Sequence, residues 1–510
     1  MYVSRNFESK GSEPFMMPVY RISMLVKDQP GVLARVSNLF GAYGVNIERI
    51  TTKKYKKEET TRIRIASCAE DIQVQNLVVG LQGLMDVMEV ETATVQQSPL
   101  QQKLHAKANA IQEMKEQKTL SKRVSFWLVA CSLFLTLFGT NIPASLYTLY
   151  RQEWGLSSGM ITLVFAVYAF TVIPAIIVAG QLSDQIGRKK VLIPGIFFAI
   201  IGTFCFTIAN GVEMLLVGRL FQGLSVGILN GVAVAALMEL DEKRNTKRTA
   251  LICALAVTLG NAVGPILSGL LGDFAPFPLR LSFYIHLLFI VPSFIGLFFL
   301  NENVRPGLQP VQLKKPFVPK EIIKPFIFAS CTSFVAWSII SMFMSIIPAN
   351  LSSFTKVNSL TISGIVVALG LVAAAVNQIL LKQLSLKKMI TIGYSLLALG
   401  LILLVITLSA KSLVLLLMSA ILIGGGNGPA YAGSLALVNE VAPNKIKGNI
   451  VSTFFVITYL GVSIPVICLG FLSQAIGMAA AVNSYVILVG MIMITMSIYG
   501  IKQQKNIFQK

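Results

Sequence analysis

Charge is scarce in this chain. Only 13% of its 510 residues are Asp, Glu, Lys or Arg, and 23 acidic residues face 43 basic ones. Soluble proteins carry roughly twice that charged fraction, so the composition excludes an ordinary soluble enzyme and a disordered chain. Six cysteines, none in a C-x-x-C pair, exclude a disulfide scaffold and a zinc ribbon. Fingerprints for nucleotide binding, dinucleotide binding or nucleophilic catalysis are also lacking, so we expect neither an enzyme nor a cofactor or metal site.

Long apolar runs are what the sequence has instead. From Val124 onward they recur at about 20 residues, enough to cross roughly 30 Å of hydrocarbon. The pattern predicts twelve membrane spans, approximately at 124-148, 159-179, 191-209, 214-239, 249-272, 282-300, 326-348, 360-381, 389-408, 412-439, 449-474 and 481-501.

The residues before the spans have ordinary charge density. We predict a tail at 1-17, a soluble domain at 18-98 and an amphipathic linker helix at 99-123, which serves as a solvated spacer or, less favoured, as a partner-binding helix. The start of the chain shows no cleavable signal peptide. Both termini are therefore expected in the cytosol of a bacterial cell, with the spans in its plasma membrane.

Basic residues in the loops test this orientation. The predicted cytosolic loops and the tail at 502-510 hold 20 Lys and Arg, against four outside, Arg151, Arg280, Lys356 and Lys411. Such a bias satisfies the positive-inside rule and explains the basic chain without nucleic acid, because these loops face the anionic lipid surface.

A Pro- and Lys-rich loop at 302-325 divides the spans into halves of six, 124-301 and 326-501. A weak internal echo supports a duplication, since GRKKVLI after span two is similar to SLKKMIT after span eight. Duplicated halves around a central site are the arrangement used for alternating access.

The loop GQLSDQIGRKK at 180-190 resembles the signature of the major facilitator superfamily. Gly180 would allow close helix approach, Gly187 would permit a turn, and Asp184 and Arg188 can pair at i,i+4. The resemblance implies that Asp184, Arg188 and Lys189 form a cytosolic latch between the halves. Gln185 replaces the usual Arg, and Lys382 stands at the acid position of the second-half copy.

A charged side chain, Arg219, lies within the apolar span four. Facing lipid would cost about 2.5 to 3.5 kcal/mol, so we expect it to face a cavity or polar partner, with snorkelling to the outer interface as the alternative. Arg219, Gln222 and Gly223 resemble the superfamily motif Arg-x-x-Gln-Gly, whose Arg is implicated in proton or substrate coupling.

Span five reads LGNAVGPILSGLLGD. Gly260, Gly264 and Gly269 give it a small-residue face, and Pro265 should bend it. The segment resembles the signature of exporters, particularly the twelve-span drug/proton antiporters, which favours efflux.

No carboxylate is predicted at mid-membrane, because Asp184, Glu239, Asp273 and Glu440 lie at span ends. The run from Gly424 to Gly433 suggests either a broken span ten or tight packing. An uncharged cavity suits neutral, zwitterionic or amphipathic solutes. Its candidate lining is Asn141, Tyr147, Asn230, Asn261, His286, Trp337, Asn377, Asn427 and Tyr431, although a lone His is more often structural.

Residues 18-95 alternate as strand, helix, strand, strand, helix, strand. They resemble an ACT domain, most closely that of the acetolactate synthase regulatory subunit. The resemblance implies paired ACT domains that bind a branched-chain or other amino acid, with Asp28, Gly31, Leu33 and Asn46 at the matching positions. Asp28 replaces the usual Asn. The alternative is a dimerisation module that binds no ligand.

Together these features predict an all-α polytopic membrane protein of twelve transmembrane helices with an N-terminal α+β ferredoxin-like ACT domain. We expect a secondary transporter that exports a small solute and is modulated by amino-acid binding to the head. Two alternatives stay open, a membrane-tethered amino-acid sensor or regulatory subunit of a biosynthetic enzyme, and proton-linked uptake. The expected partners are a small-molecule substrate, the lipid bilayer and a second copy of the chain, with no nucleic acid.

Overall fold

The structure is a computed structural model that describes residues 19–55, 59–69, 71–95, 120–242, 245–300, 317–443, 446–503 and 507. The predicted tail at 1-17, nearly all of the amphipathic linker at 99-123 and most of the 302-325 loop lie outside the described residues. The chain divides into two compact units, Met1–Lys118 and Thr119–Lys510, and each is described by itself.

The first unit, called the head below, contains a four-stranded antiparallel sheet and two helices. The strands pair in the order β2-β3-β1-β4. Their bounds, with those of the helices, are β1 Val19–Lys27, α1 Val32–Ala42, β2 Asn46–Tyr55, β3 Thr60–Cys68, α2 Asp71–Gln82 and β4 Val87–Val95. The predicted ferredoxin-like order of elements is confirmed.

Side-chain periodicity explains the packing of the head. Ile22 and Met24 lie two apart on β1, so both point to the same face of the sheet and are buried there. Val36 and Phe40 lie four apart on α1 and pack into the same core. This core belongs to the head alone, which is why the unit can be treated as a separate folding domain.

Helices make up the regular structure of the second unit in the described residues. Its helices are α3 Lys122–Asn141, α4 Pro143–Trp154, α5 Ser158–Ile186, α6 Arg188–Ile208, α7 Val212–Leu240, α8 Thr246–Phe274, α9 Leu281–Leu297, α10 Ile323–Ala349, α11 Leu351–Phe354, α12 Leu360–Leu380, α13 Leu386–Ala410, α14 Leu413–Val441, α15 Lys447–Ile476 and α16 Met478–Lys502, with a 3-10 turn at Lys320–Ile322.

Eleven membrane-crossing segments are present among these helices by length and apolar composition, with α3 and α4 counted as one kinked segment. The sixth predicted span corresponds to α9, which is shorter at 17 residues. In the interior of the unit, α8 packs along α12 and α5 along α15, so each seam joins a helix of the first half to a helix of the second.

Tight packing, and not a break, explains the glycine run of span ten. Helix α14 continues through Gly424 to Gly433, so of the two alternatives the broken helix is wrong. A Cβ atom built at Gly424 would lie only 1.9 Å from the carbonyl oxygen of Gly370, and one at Gly428 only 2.0 Å from that of Ala374. Both contacts bring α14 against the backbone of α12.

Candidate functional site

The kink between α3 and α4 organises the interior of the first half. Pro143 has no N–H group, so the carbonyl oxygen of Gly139 loses its normal helical partner. The side chain of Gln222 on α7 donates from Nε2 to this oxygen at 3.2 Å. Arg219 donates from Nη1 to the neighbouring carbonyl oxygen of Thr140 at 2.7 Å. Two polar residues of α7 therefore satisfy the carbonyl groups at the kink.

Arg219 is 2% exposed, so its side chain does not snorkel to the surface. It donates to Gln222 Oε1 at 3.1 Å and to the Tyr147 hydroxyl. Its guanidinium carbon lies 5.7 Å from the ring centre of Tyr147, 5.9 Å from that of Tyr168 and 5.6 Å from that of Phe206. Aromatic faces attract a cation at such distances, so rings and neutral oxygens hold this charge.

Gly223, the last residue of the same motif, provides a close contact between helices. A Cβ atom at this position would lie 1.8 Å from Thr171 Oγ1 and 2.4 Å from the carbonyl oxygen of Tyr168. Only glycine lets α7 approach α5 here, which keeps the Tyr168 ring near Arg219.

A group of four aromatic residues and one asparagine, here called the aromatic cluster, lies where the two halves meet. It consists of Tyr168 and Asn230 of the first half and Trp337, Tyr431 and Tyr459 of the second. Asn230 Nδ2 donates to the Tyr459 hydroxyl at 3.1 Å, and Tyr459 also interacts with Tyr168. Trp337 meets Tyr431 edge-on with ring centres 5.5 Å apart. Trp337 Nε1 is buried and has no hydrogen-bond partner among the described residues.

Three of the predicted cavity residues, Asn230, Trp337 and Tyr431, thus come together in the aromatic cluster, and Tyr147 contacts Arg219 beside it. Sequence reasoning missed Tyr459 as a member of this group. The feature that could have identified it is its position in span eleven, which is α15. This helix packs on α5 of the first half, just as α8 packs on α12.

Other predicted cavity residues bind inside one half. Asn141 donates to Asn261 Oδ1 at 2.8 Å, which joins α3 to α8. Asn377 donates to the Gly425 carbonyl oxygen at 3.0 Å, which joins α12 to α14. Asn427 is 5% exposed, and its Nδ2 has no partner among the described residues. The structure therefore does not place Asn141, Asn261 and Asn377 together with the aromatic cluster.

His286 is also internal to the first half. It is 1% exposed, with Nε2 2.9 Å from the Leu135 carbonyl oxygen and Nδ1 2.8 Å from Thr203 Oγ1. A Cβ atom at Gly139 would lie 2.2 Å from its ring, so α3 packs directly on the imidazole. This environment fits the structural alternative for a lone membrane histidine and not a cavity lining.

Hydrogen bonds join the two halves at one end of the bundle, called the Asp273 end. Asp273 closes α8 and accepts from Leu360 N at 3.0 Å, Thr361 N at 2.9 Å, Thr361 Oγ1 at 2.7 Å and Ser359 Oγ at 2.7 Å. A carboxylate of the first half thereby caps α12 of the second half, where free N–H groups and the helix dipole favour a negative charge.

Further contacts seal the same end. Thr148 donates to the Pro348 carbonyl oxygen at 2.7 Å, and Arg151 donates to that of Ala349 at 3.0 Å. The glycines of span five make close contacts both within the first half and across the halves. A Cβ atom at Gly264 would lie 2.6 Å from the Phe138 carbonyl oxygen within the first half, and one at Gly269 would lie 2.3 Å from that of Leu360 across the halves.

Gly260 and Pro265 complete this motif. A Cβ atom at Gly260 would lie 2.6 Å from the Phe134 carbonyl oxygen, so α8 contacts α3 closely there. Pro265 lies within α8, and its carbonyl oxygen accepts from Ser145 Oγ at 2.7 Å. The motif therefore fixes α8 against the kinked first span.

The predicted latch lies at the opposite end, called the Arg188 end. Arg188 pairs with Glu239 at 3.1 Å and donates to Ser183 Oγ at 2.7 Å, and Lys189 donates to the carbonyl oxygens of Phe298 and Leu300 at 2.7 and 2.9 Å. These contacts all stay within the first half. The predicted pairing of Asp184 with Arg188 lies outside the described side chains.

The two glycines of this motif differ from each other. Gly187 joins α5 to α6 with φ 102, a conformation that side chains strongly disfavour, so the predicted turn is present. Gly180 has open space instead, since a Cβ atom there would meet nothing within 4 Å. The expected close helix approach at Gly180 is absent among the described residues.

The predicted amino-acid site of the head lies between β1 and α1. Asp28 pairs with Lys54 and accepts from Thr61 Oγ1 at 3.0 Å, and the contact with Lys54 holds the pKa of this carboxyl below its ordinary value. Gly31 precedes α1 with φ 87 and provides no side-chain cap. Val32 N donates to the Gln29 carbonyl oxygen at 3.4 Å, so a carboxylate ligand would bind the N–H groups that follow it in the first turn of α1.

The other two predicted head residues flank this turn. Leu33 is 44% exposed although it is apolar, and Asn46 opens the edge strand β2. An exposed leucine beside a helix N-terminus is a suitable contact for an aliphatic side chain or for a second copy of the head.

Comparison with known proteins assigns both units. Residues 129–466 match the family model of the Major Facilitator Superfamily, and residues 22–89 match the AHAS small subunit-like ACT domain. An uncharacterized MFS-type transporter of Methanocaldococcus jannaschii is 24% identical over 364 residues, which cover 69% of this chain and 92% of the relative.

Multidrug resistance protein MdtL of Shigella flexneri is 30% identical over 200 residues, 38% of this chain and 49% of the relative. Among solved structures, the POT family transporter PepTSo superimposes with a TM-score of 0.63 at 11% identity, covering 76% of this chain and 99% of the other. A bacterial homolog of the lysosomal transporter Spinster, in an inward-facing and unoccupied conformation, gives 0.57 at 12% identity, covering 76% and 96%. These structures support the fold.

Proposed function

The chain belongs to the Major Facilitator Superfamily, and on that premise we propose that it exports a small neutral, zwitterionic or amphipathic solute by alternating access. The observation that carries the proposal is a bundle whose halves are joined at the Asp273 end, with the aromatic cluster at the interface behind that seal. A transporter needs a site between two halves that can open at either end. Similarity to multidrug resistance proteins supports the outward direction.

Orientation follows from the loop charges. The Arg188 end carries the basic loops, so we place it in the cytosol and the Asp273 end outside. On this assignment the structure corresponds to a state closed to the exterior. The latch of Asp184, Arg188 and Lys189 would then close the cytosolic side in the opposite state.

The head is proposed to bias this equilibrium when an amino acid binds at Asp28, Gly31, Leu33 and Asn46. Allostery requires two sites and two global states, and a transporter supplies the states. Edge strands β2 and β4 each have one side that pairs with no other strand in the described part of the head, which suits pairing with a second head. Calorimetry on residues 1–98 with each of the twenty amino acids tests ligand binding, and no heat from any of them would leave pairing as the function of the head.

Purified protein in lipid vesicles tests transport itself. Vesicles loaded with amino acids or a cationic dye should show saturable flux that Asp184→Asn alters. Accumulation driven inward by a pH gradient would instead show uptake. Absence of flux for every class, together with co-purification of a biosynthetic enzyme, would replace transport by the tethered regulatory function.

A further inference from the structure

Among the described residues, the charge of Arg219 has no anion beside it. Its described partners are a carbonyl oxygen, an amide oxygen and a phenol, and its Nε has no hydrogen-bond partner among the described residues. The described acidic side chains of the membrane unit lie at or beyond helix ends: Glu153, Glu213, Glu239, Asp241, Glu242, Asp273, Glu321 and Glu440. A buried cation normally requires a counter-ion, so the first half holds a fixed positive charge that the described chain does not neutralise.

The Tyr168 ring separates this charge from the interface between the halves. Tyr168 contacts the guanidinium on one side and Tyr459 of the second half on the other. The aromatic cluster that continues from Tyr459 supplies hydroxyl, amide and indole donors, and Trp337 Nε1 has no partner among the described residues. Donors beside a positive charge select a negative group on the ligand.

The second-half rings of the aromatic cluster suit the opposite charge. Trp337 and Tyr431 meet edge to face, whereas the rings beside the Arg219 guanidinium all belong to the first half, and aromatic faces stabilise an ammonium group. We propose that the cargo is a carboxylate-bearing zwitterion of the α-amino acid type, with its carboxylate directed to Tyr168 and Arg219 and its ammonium to the Trp337 side. Lipophilic cations without a carboxylate are excluded. This inference rests on the proposed transport function and names the substrate class of the same site.

Counterflow in vesicles tests the substrate class with the full chain. The labelled probe is a ¹⁴C mixture of the twenty amino acids. The competitors are the same mixture unlabelled and the corresponding amino-acid amides, which keep the ammonium group and lack the carboxylate. We expect the amino acids to compete at least tenfold better than the amides, and ethidium, a lipophilic cation, to show no flux.

Arg219→Gln should reduce amino-acid counterflow at least tenfold, mainly through a higher KM, while Arg219→Lys retains the charge and most of the flux. Because Arg219 also binds the kink, Arg219→Gln could fail to fold, and the competition with wild-type protein then decides alone. Equal competition by amides, or ethidium flux without amino-acid flux, overturns the inference and leaves transport standing. No flux of either probe overturns the proposed function itself.

Discussion

Removal of the Asp273 carboxylate should weaken the closed Asp273 end. In Asp273→Ala the first N–H groups of α12 and the hydroxyls of Ser359 and Thr361 lose their acceptor across the halves. Loss of a helix cap costs roughly 1 kcal/mol, and water replaces part of the lost bonds because the carboxylate is exposed. Since 1.4 kcal/mol is tenfold, the balance should move about fivefold toward the state open at this end.

Distance measurement between spin labels checks this shift. Labels at Glu153 and Lys356, exposed positions in opposite halves near this end, would be introduced into a chain whose own cysteines are replaced. Asp273→Ala should increase the long-distance population about fivefold, and Asp273→Asn should increase it less, because asparagine is itself a good cap.

The matched control is Glu213→Ala. It removes an exposed carboxylate from the first turn of α7 and breaks no inter-half hydrogen bond among the described residues. If Asp273→Ala leaves the distance distribution unchanged, or if Glu213→Ala changes it equally, the cap does not hold the halves together and our account of the seal is wrong.

Three further outcomes are expected. Gly424→Ala should lower the melting temperature in detergent, since overpacking costs about 1 to 3 kcal/mol, whereas Gly231→Ala, which meets open space, should not. In the isolated head, Gly31→Ala should reduce the free energy of unfolding in urea by about 1 kcal/mol because φ is 87. Contact with Lys54 lowers the pKa of Asp28. The ionised carboxylate therefore stabilises the head above the ordinary carboxyl pKa, and this stabilisation disappears as the pH falls through the lowered pKa. Asp28→Asn should flatten this pH dependence in urea melts between pH 7 and 3. An unchanged pH profile in that variant would show that other carboxyls dominate.

Apolar length and period were enough to predict the order of elements in the head and eleven full-length spans, with the predicted sixth span shorter as α9, because burial follows these patterns directly. The site was predicted less completely. Arg219 stood out because a charge in an apolar helix demands a partner, but its partner on α3 is the carbonyl oxygen of Thr140, and a contact to backbone leaves no residue pattern in α3. Tyr459 was missed for a related reason, since a tyrosine in an apolar span looks like any other core aromatic.

Polar type alone also does not separate residues that bind within one half from residues at the interface. His286, Asn141 and Asn377 carry the same chemistry as cavity residues, yet each satisfies a partner on a neighbouring helix of its own half. Which of two helix faces meets the other half depends on the rotation of each helix, and a span that is apolar nearly all round does not encode that rotation in its hydrophobic period.

At the seam of α8 and α12 the contacts are made by main chain. Gly269 lies against the carbonyl oxygen of Leu360, and Gly364 lies against that of Pro265, with no room for a Cβ atom at either glycine. Side chains that interdigitate must unlock before two surfaces can separate, whereas smooth backbone surfaces can roll or part without any rotamer change. The glycines therefore give this seam a smooth surface. Its resistance to separation comes from the few polar contacts at the Asp273 end.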